Sequence, residues 1–423
     1  MGFIKFIGAR LFEATICFIL ITLLPLPPYM EFTAYSVPPY MPFEGPLQLN
    51  DRLNNAEHLF VDLLKGPEAF AVHNGEIYTG IHGGEVVKIV NNSLVHVAKF
   101  GKPCGGYWEE SICGRPLGLK FDKHGNLYVA DTYYGLFKVN VETGLVTKLV
   151  SADIPINGKK PLLINSVDVA RDGTVYWSHS SSDVTLQDGV YTLLGDGSGR
   201  LLKYSPTTNT SEVLLEKLHF ANGVLLSDDE DFVLVSETLS SQIRRYYLKG
   251  AKKGSNDIFV DKLPGFPDNL SHDGNGSYFV ALAFPADKDH PAFNHIISEY
   301  PVLRKFLARL LGLLEMPFQF IERFYPNYYV KRATHWIGHF ESVRFMEPKR
   351  FTLLRLGKDG KVLESMHCLD GTLSGISDVV EFEDALYFGS PYNTYIGRIK
   401  LEKPPRISIR IKTNKESTAE MKY

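Results

Sequence analysis

Six segments of this chain repeat one design at a near-constant interval. Each has a Gly or Pro approach, a polar residue, a strand of alternating apolar residues, an acidic or Gly turn, and a second strand. They begin at Gly66 (GPEAFAVHNGEIYTG), Gly114 (GRPLGLKFDKHGNLYVAD), Leu163 (LINSVDVARDGTVYWSH), Phe220 (FANGVLLSDDEDFVLVSE), Gly265 (GFPDNLSHDGNGSYFVAL) and Ser374 (SGISDVVEFEDALYFGS). The first polar slot of each unit, its lead position, falls at Glu68, Leu117, Asn165, Asn222, Asp268 and Ser377, Leu117 being the apolar exception. Successive leads lie 49, 48, 57, 46 and 109 residues apart. A period near 50 made of four short strands is the sequence form of a propeller blade, and the longest interval is then a fifth blade carrying an insertion of about 60 residues. The expected fold is all-β, a six-bladed β-propeller over residues 59–402.

In a propeller the innermost strand of each blade lines the central channel, so equivalent positions in different blades meet in a ring. Glu68, Asn165, Asn222, Asp268 and its neighbour Asn269 would converge there from four blades. Two carboxylates and three amides offer only hard oxygen donors, the set that Ca2+ takes. The lack of Cys or His among them argues against zinc or copper. Asn269-Leu270-Ser271 also spells a glycan acceptor, but a channel-facing amide is closed to glycosylation, so Asn269 is read as a ligand.

The N-terminus follows different rules. Lys5 and Arg10 precede an apolar run that ends in the Pro-rich LPLPPY. Leu11 to Leu26 counts 16 residues, interrupted by Glu13. That length lies between the ~20 residues of a spanning helix and the apolar core of a signal peptide. With basic residues only on the N-terminal side and no small-residue cleavage site soon after, the reading is an uncleaved signal anchor. Residues 1–10 would be cytosolic, 11–28 the transmembrane helix and 29–58 a stalk, giving a type II membrane protein with its body lumenal or extracellular. A cleaved signal would leave the body soluble but equally lumenal. The segment HLFVDLLKG near Leu59 is placed to supply a strand that closes the ring on the last blade, and 403–423 read as a polar tail. Cys104 and Cys113, nine apart in a Gly-rich loop, are spaced for a short disulfide in an oxidising compartment, and Asn91, Asn209 and Asn275 are glycan acceptors under the same topology. A net charge of −3 and the absence of basic runs exclude nucleic-acid binding.

Inside the insertion, from Pro285 to about Arg344, the residues Phe293, Ile296, Ile297, Tyr300, Leu303, Phe306, Leu307, Leu310, Leu311 and Leu314 recur at helical spacing, with Arg304, Lys305 and Arg309 among them. Such a helix packs apolar side down on its blade, or else lies on a bilayer or roofs the channel for lipophilic substrates.

GPEAFAV, CGRPLGLKFD, NSVDVA, FANGVLLS, DFVLVSET and GFPDNLS, in this order, resemble the strictosidine synthase-like propellers, and among them the single-pass adipocyte plasma membrane-associated protein family, with paraoxonases as more distant relatives. The resemblance covers roughly residues 50 to 400. It implies catalytic-type calcium ligands at Glu68, Asn165, Asn222, Asp268 and Asn269, and one ion rather than two, because the acids of the second paraoxonase site fall at Ala69 and Ser166. A paraoxonase His beside the site falls at Leu117. The Glu used by strictosidine synthase falls at Ser377, next to Asp378, so alkaloid condensation is not expected. What the resemblance implies instead is an arylesterase-like, calcium-dependent hydrolase of small lipophilic esters or lactones, in which Ca2+ polarises the carbonyl. Water would be the nucleophile, since no G-x-S-x-G elbow occurs. His179 and Asp378 are the candidate bases. A membrane-tethered, non-catalytic binding propeller with a structural calcium uses the same ligands and is the alternative.

Overall fold

Apolar alternation between Gly, Asp and Asn turns yields four-stranded antiparallel meanders in which each strand bonds its sequence neighbour. The structure, a computed structural model, describes residues 2–401; the tail read at 403–423 lies outside them. Six four-stranded sheets form the expected six-bladed propeller. Five are meanders of four strands consecutive in the chain, the fifth with the insertion between its second and third. The sixth joins Asp378–Phe382, Ala385–Gly389 and Ile396–Lys400 to an N-terminal strand, Glu57–Leu59, antiparallel to the last. The innermost strands, Phe70–His73, Pro116–Phe121, Ile164–Val169, Ala221–Leu226, Gly265–His272 and Asp378–Phe382, touch one another in sequence around a closed circle.

The apolar faces pack between blades, and each neighbouring pair shares one cluster. Val86 meets Leu127 and Val129 between the first and second blades, and Leu136 meets Trp177 and Leu202 between the second and third. Similar clusters fill the other four junctions, including Phe70 and Ile77 against Ile396 at the closure. Each fully buried Leu, Val or Phe contributes about 1.5–3 kcal/mol, so every blade is held from both sides.

Three expectations need correction. The N-terminal helix runs Gly2–Leu23 rather than 11–28. Lys5 and Arg10 are good helix formers, whereas Pro25, Pro27 and Pro28 cannot continue a helix. Its stretch Phe3–Leu23 is long and apolar enough to cross a bilayer and is scarcely covered by the rest of the chain. Residues 29–58 are not a free stalk but a strap on the propeller. Leu47 and Leu53 are buried in inter-blade clusters, the Met41 N–H donates to the Lys262 carbonyl at 2.7 Å, and the Thr33 N–H donates to the Asp196 carboxylate at 2.8 Å. Leaving those side chains in water would forfeit their burial.

The third correction concerns the insertion, which joins Tyr278–Pro285 to Phe351–Leu356 in the fifth blade and so runs past 344. Its apolar stripe is divided between a short helix, Phe293–Ile296, and a long one, Pro301–Phe324, followed by Tyr328–Gly338. The long helix buries Arg304, Ala308, Arg309, Gly312 and Glu315 and leaves Leu303, Leu314, Phe320, Ile321 and Phe324 exposed. Leu307 and Leu311 rest partly on Val184, Tyr191 and Leu194, beside the buried Ile297 and Ala308. The arginines turn inward because acceptors wait for them there. Arg304 donates to the carbonyls of Leu194 (2.8 Å) and Thr33 (2.6 Å) and to the Asp196 carboxylate (2.7 Å). Arg309 donates to the Ile21 and Thr22 carbonyls near the end of the N-terminal helix, where intrahelical partners run out.

The insertion is also pinned to the third blade by Tyr191, whose hydroxyl donates to Glu315 at 2.7 Å, beside Asp188. Burial and the neighbouring Glu315 push the Asp188 carboxyl up to about 7. A folded state that holds its proton more tightly than the unfolded chain gains stability at low pH and loses it as pH rises through about 7. Asp188→Asn is expected to lose less melting temperature than wild type between about pH 5 and pH 8; parallel pH profiles for the two proteins would refute this.

Candidate functional site

The lead residues reach the axis through one local device. At the start of the third, fourth and fifth innermost strands the ladder slips, between Ile164 and Val167, between Ala221 and Val224, and between Pro267 and Leu270. The residues inside each bulge are Asn165-Ser166, Asn222-Gly223 and Asp268-Asn269. A bulge bends the strand and re-aims its side chains, here at the channel mouth. Glu68 reaches the same point from the loop before Phe70–His73. The inner ring is tight at these places. A Cβ on Gly223 would stand 2.5 Å from the Asp268 carbonyl and 2.7 Å from the Asn269 Cα, and one on Gly118 would stand 2.7 Å from the Asn165 carbonyl.

Glu68, Asn165, Asn222 and Asp268 form the floor of one cavity of about 1200 Å3, its open mouth included. All four are buried, and the Oδ1 atoms of Asn165, Asn222 and Asp268 accept no hydrogen bond. A buried acceptor left unpaired costs about 1–3 kcal/mol, so three around one axis are an unusual concentration of cost. The amide end of Asn165 is spent outward on the Ser180 hydroxyl at 3.1 Å, which leaves its oxygen for the channel. Asn269 is buried just below, in a second chamber of the channel, with its Nδ2 unpaired. Burial pushes the Glu68 carboxyl up to about 7 against the pull of Arg115, with Glu110 and Asp378 adding to the rise. Burial also drives Asp268 well above the carboxylate range, and the charges of Glu68 and Asp378 push it further. The mutual influence of these acids places them close together, and the free oxygens fit a hard cation held between them.

The proposed bases lie elsewhere. His179 is wholly buried between strands; Nδ1 faces the Ser181 carbonyl at 3.1 Å and Nε2 accepts from Arg200 at 2.5 Å, so both ring nitrogens are engaged away from the cavity. Asp378 lies in the lower chamber, where its Oδ2 accepts the Phe70 N–H at 2.7 Å and burial raises it to about 7. Ser377 spends its hydroxyl on the Glu68 carbonyl at 2.9 Å, and Leu117 lines the cavity wall.

The cavity holds polar groups that the repeat does not reveal: His82, Glu110, Arg115 and His339. Glu110 is their hub. His82 Nδ1 lies 2.7 Å and Arg115 Nε 3.4 Å from its Oε1, and His339 Nε2 lies 3.7 Å from its Oε2. Burial raises the Glu110 carboxyl, but His82 and His339 outweigh it and hold the group well below the usual range, as a carboxylate. Burial and then Arg115 push His82 down to about 4, which leaves the ring neutral at pH 7. Arg115 spans the cluster and the floor, with Nη2 3.4 Å from Glu68 Oε2. These residues come from loops and the insertion and share no phase with the leads, although Arg115 stands in the quoted CGRPLGL motif.

Elsewhere, Cys104 and Cys113 form a disulfide with Cα atoms 5.5 Å apart, while Cys17 and Cys368 are free. Asn91, Asn209 and Asn275 are exposed, whereas Asn269 is not.

A family model described as strictosidine synthase matches residues 165–251, and another described as strictosidine synthase-like, N-terminal, matches residues 45–89. The adipocyte plasma membrane-associated protein Hemomucin of Drosophila melanogaster is 44% identical over 420 residues, 97% of this chain and 72% of that one. The adipocyte plasma membrane-associated protein of Salmo salar is 36% identical over 90% of this chain and 86% of its own, and that of Rattus norvegicus 35% identical over 87% and 92%. Among solved structures, a gluconolactonase from Xanthomonas campestris matches 90% of this chain and 99% of its own with a TM-score of 0.51 at 13% identity, a likeness of fold.

The packing at the bulges sets a test. Gly223→Ala is expected to cost about 1–3 kcal/mol in chemical denaturation, because the neighbouring blade must shift. An unchanged midpoint would show that the inner ring is looser than these distances indicate.

Proposed function

This chain belongs to the adipocyte plasma membrane-associated protein family, and on that premise we propose that it is a membrane-anchored, calcium-dependent hydrolase of small lipophilic esters or lactones. The observation that carries the reading is the set of unpaired buried oxygens on Asn165, Asn222 and Asp268 at the floor of the cavity. Glu68, Asn165, Asn222, Asp268 and Asn269 would hold one Ca2+, and bound there the ion would supply a Lewis acid for an ester carbonyl.

The chain's own residues supply the remainder. Leu117, Phe266, Phe284 and Phe340 line the walls and would bind the apolar part of a substrate while excluding water. Arg115 orients the Glu68 carboxylate from the side. His82 is not free to act as the base: its Nε2 faces the Pro391 carbonyl at 3.1 Å and its Nδ1 faces the Glu110 carboxylate at 2.7 Å, so both ring nitrogens are engaged.

The measurement is metal content of the purified full chain, coupled to turnover of an ester and lactone panel with and without chelator. We expect about one calcium per chain, and turnover that disappears on chelation and in Asn222→Ala. Turnover indifferent to chelator and to Asn222→Ala would remove the hydrolase reading. Bound calcium without turnover would leave a tethered binding propeller.

We further propose type II topology, from Lys5 and Arg10 in the N-terminal half of the uncovered helix, whose C-terminal half has no basic residue. The exposed acceptors Asn91, Asn209 and Asn275 would then carry glycans. An enzymatic deglycosylation shift on gels is expected, reduced stepwise by Asn→Gln at each position. A chain whose mobility ignores the enzyme would contradict this orientation.

A further inference from the structure

We propose that the insertion is a second membrane-contact surface: the outward faces of the helices Pro301–Phe324 and Tyr328–Gly338 lie on the same phospholipid bilayer that the N-terminal helix enters. The exposed residues are those a bilayer surface takes up. Phe320 is 64% exposed, Phe324 69%, Tyr329 80%, Trp336 61% and, in the turn that follows, Phe345 83%. Large exposed apolar patches on a folded domain mark a surface that something covers, and Trp and Tyr favour the lipid headgroup level.

Continuity with the anchor identifies the occupant. The N-terminal helix ends on this same long helix. Arg309 holds the Ile21 and Thr22 carbonyls at 3.2 and 2.6 Å, and the rings of Phe18 and Phe306 lie 4.7 Å apart. Gly312 has no side chain where Pro27 crosses, and a Cβ there would stand 2.9 Å from the Pro27 carbonyl. The point at which the chain leaves an apolar helix able to cross a bilayer is therefore fixed against the Phe306–Gly312 turns. A helix pinned there lies at the membrane surface, and its exposed residues include the phenylalanines. Charge agrees with this placement. Arg304 and Arg309 face inward, but Arg323 stands exposed between Phe320 and Phe324, Lys305 is half-buried on the same helix, and Lys349 is exposed beyond it. Basic residues bordering an apolar helical face suit a layer of phosphate headgroups.

The test uses the full chain reconstituted in phosphatidylcholine vesicles, with and without lipid brominated at a shallow acyl position. Of the three tryptophans, Trp177 is fully buried and Trp336 is the exposed one. Brominated lipid should quench a part of the fluorescence that is absent in Trp336→Phe. In Phe320→Asp/Phe324→Asp that part should fall at least twofold, while the melting temperature and sedimentation with vesicles stay unchanged because the N-terminal helix still anchors the chain. Equal quenching of wild type and Trp336→Phe would overturn the proposal, as would a double variant that folds and is quenched like wild type. Chain-to-chain crosslinking through Phe320→Cys in place of lipid quenching would assign the face to a second copy and equally overturn it.

Discussion

The antiparallel pairing of Glu57–Leu59 with Ile396–Lys400 is the constraint on which the rest of the molecule depends. Six twisted sheets stacked side by side would otherwise end in two exposed edges. Closure brings the first innermost strand beside the sixth and fixes the width of the channel. Only then do Glu68, from the beginning of the chain, and Asp268, about two hundred residues later, face one another. The pairing is short, and it works because apolar contacts back it: Phe70 and Ile77 pack against Ile396, and Leu53 is buried with Phe351 and Phe388.

Closure also explains the electrostatics of the floor. Glu68, Asp268, Asp378 and Glu110 are buried within mutual influence, and Arg115 is the guanidinium that reaches both the floor and the Glu110 cluster. Burial pushes three of these acids up, while only Glu110, with two imidazoles beside it, is held low. A fold that gathers acids and unpaired amide oxygens at one point incurs a desolvation penalty, and a divalent cation is the simplest group that would offset it.

What could be read in the amino-acid order was whatever repeats. The period and the phase of the lead residues gave six blades, and the family read from the motifs agrees with relatives that match most of the chain. What could not be read depends on contacts between distant segments. Alternation puts His179 on one face of its strand but does not reveal that Arg200, its partner in cross-strand register, occupies the ring. The helical stripe from Leu303 to Leu314 was visible, but not its direction, which is set by carbonyl groups at Ile21, Thr33 and Leu194. His82, Glu110 and His339 meet from two loops and the insertion, and no spacing in the chain links them.

Those same distant contacts tie the N-terminal helix to the cavity. Arg304 binds the strap at Thr33 and the third blade at Leu194 and Asp196, and Arg309 one turn on binds the end of the N-terminal helix. The helix that carries both arginines leads, through Tyr328–Gly338, to His339, Phe340 and Val343, which line the cavity from above. N-terminal helix, strap and roof are thus one hydrogen-bonded unit. Because a buried arginine that loses its acceptors leaves an unpaired charge, this unit resists being pulled apart piece by piece. A roof fixed in this way to the N-terminal helix is held in place relative to it, so the position of the cavity relative to that helix is set by the fold.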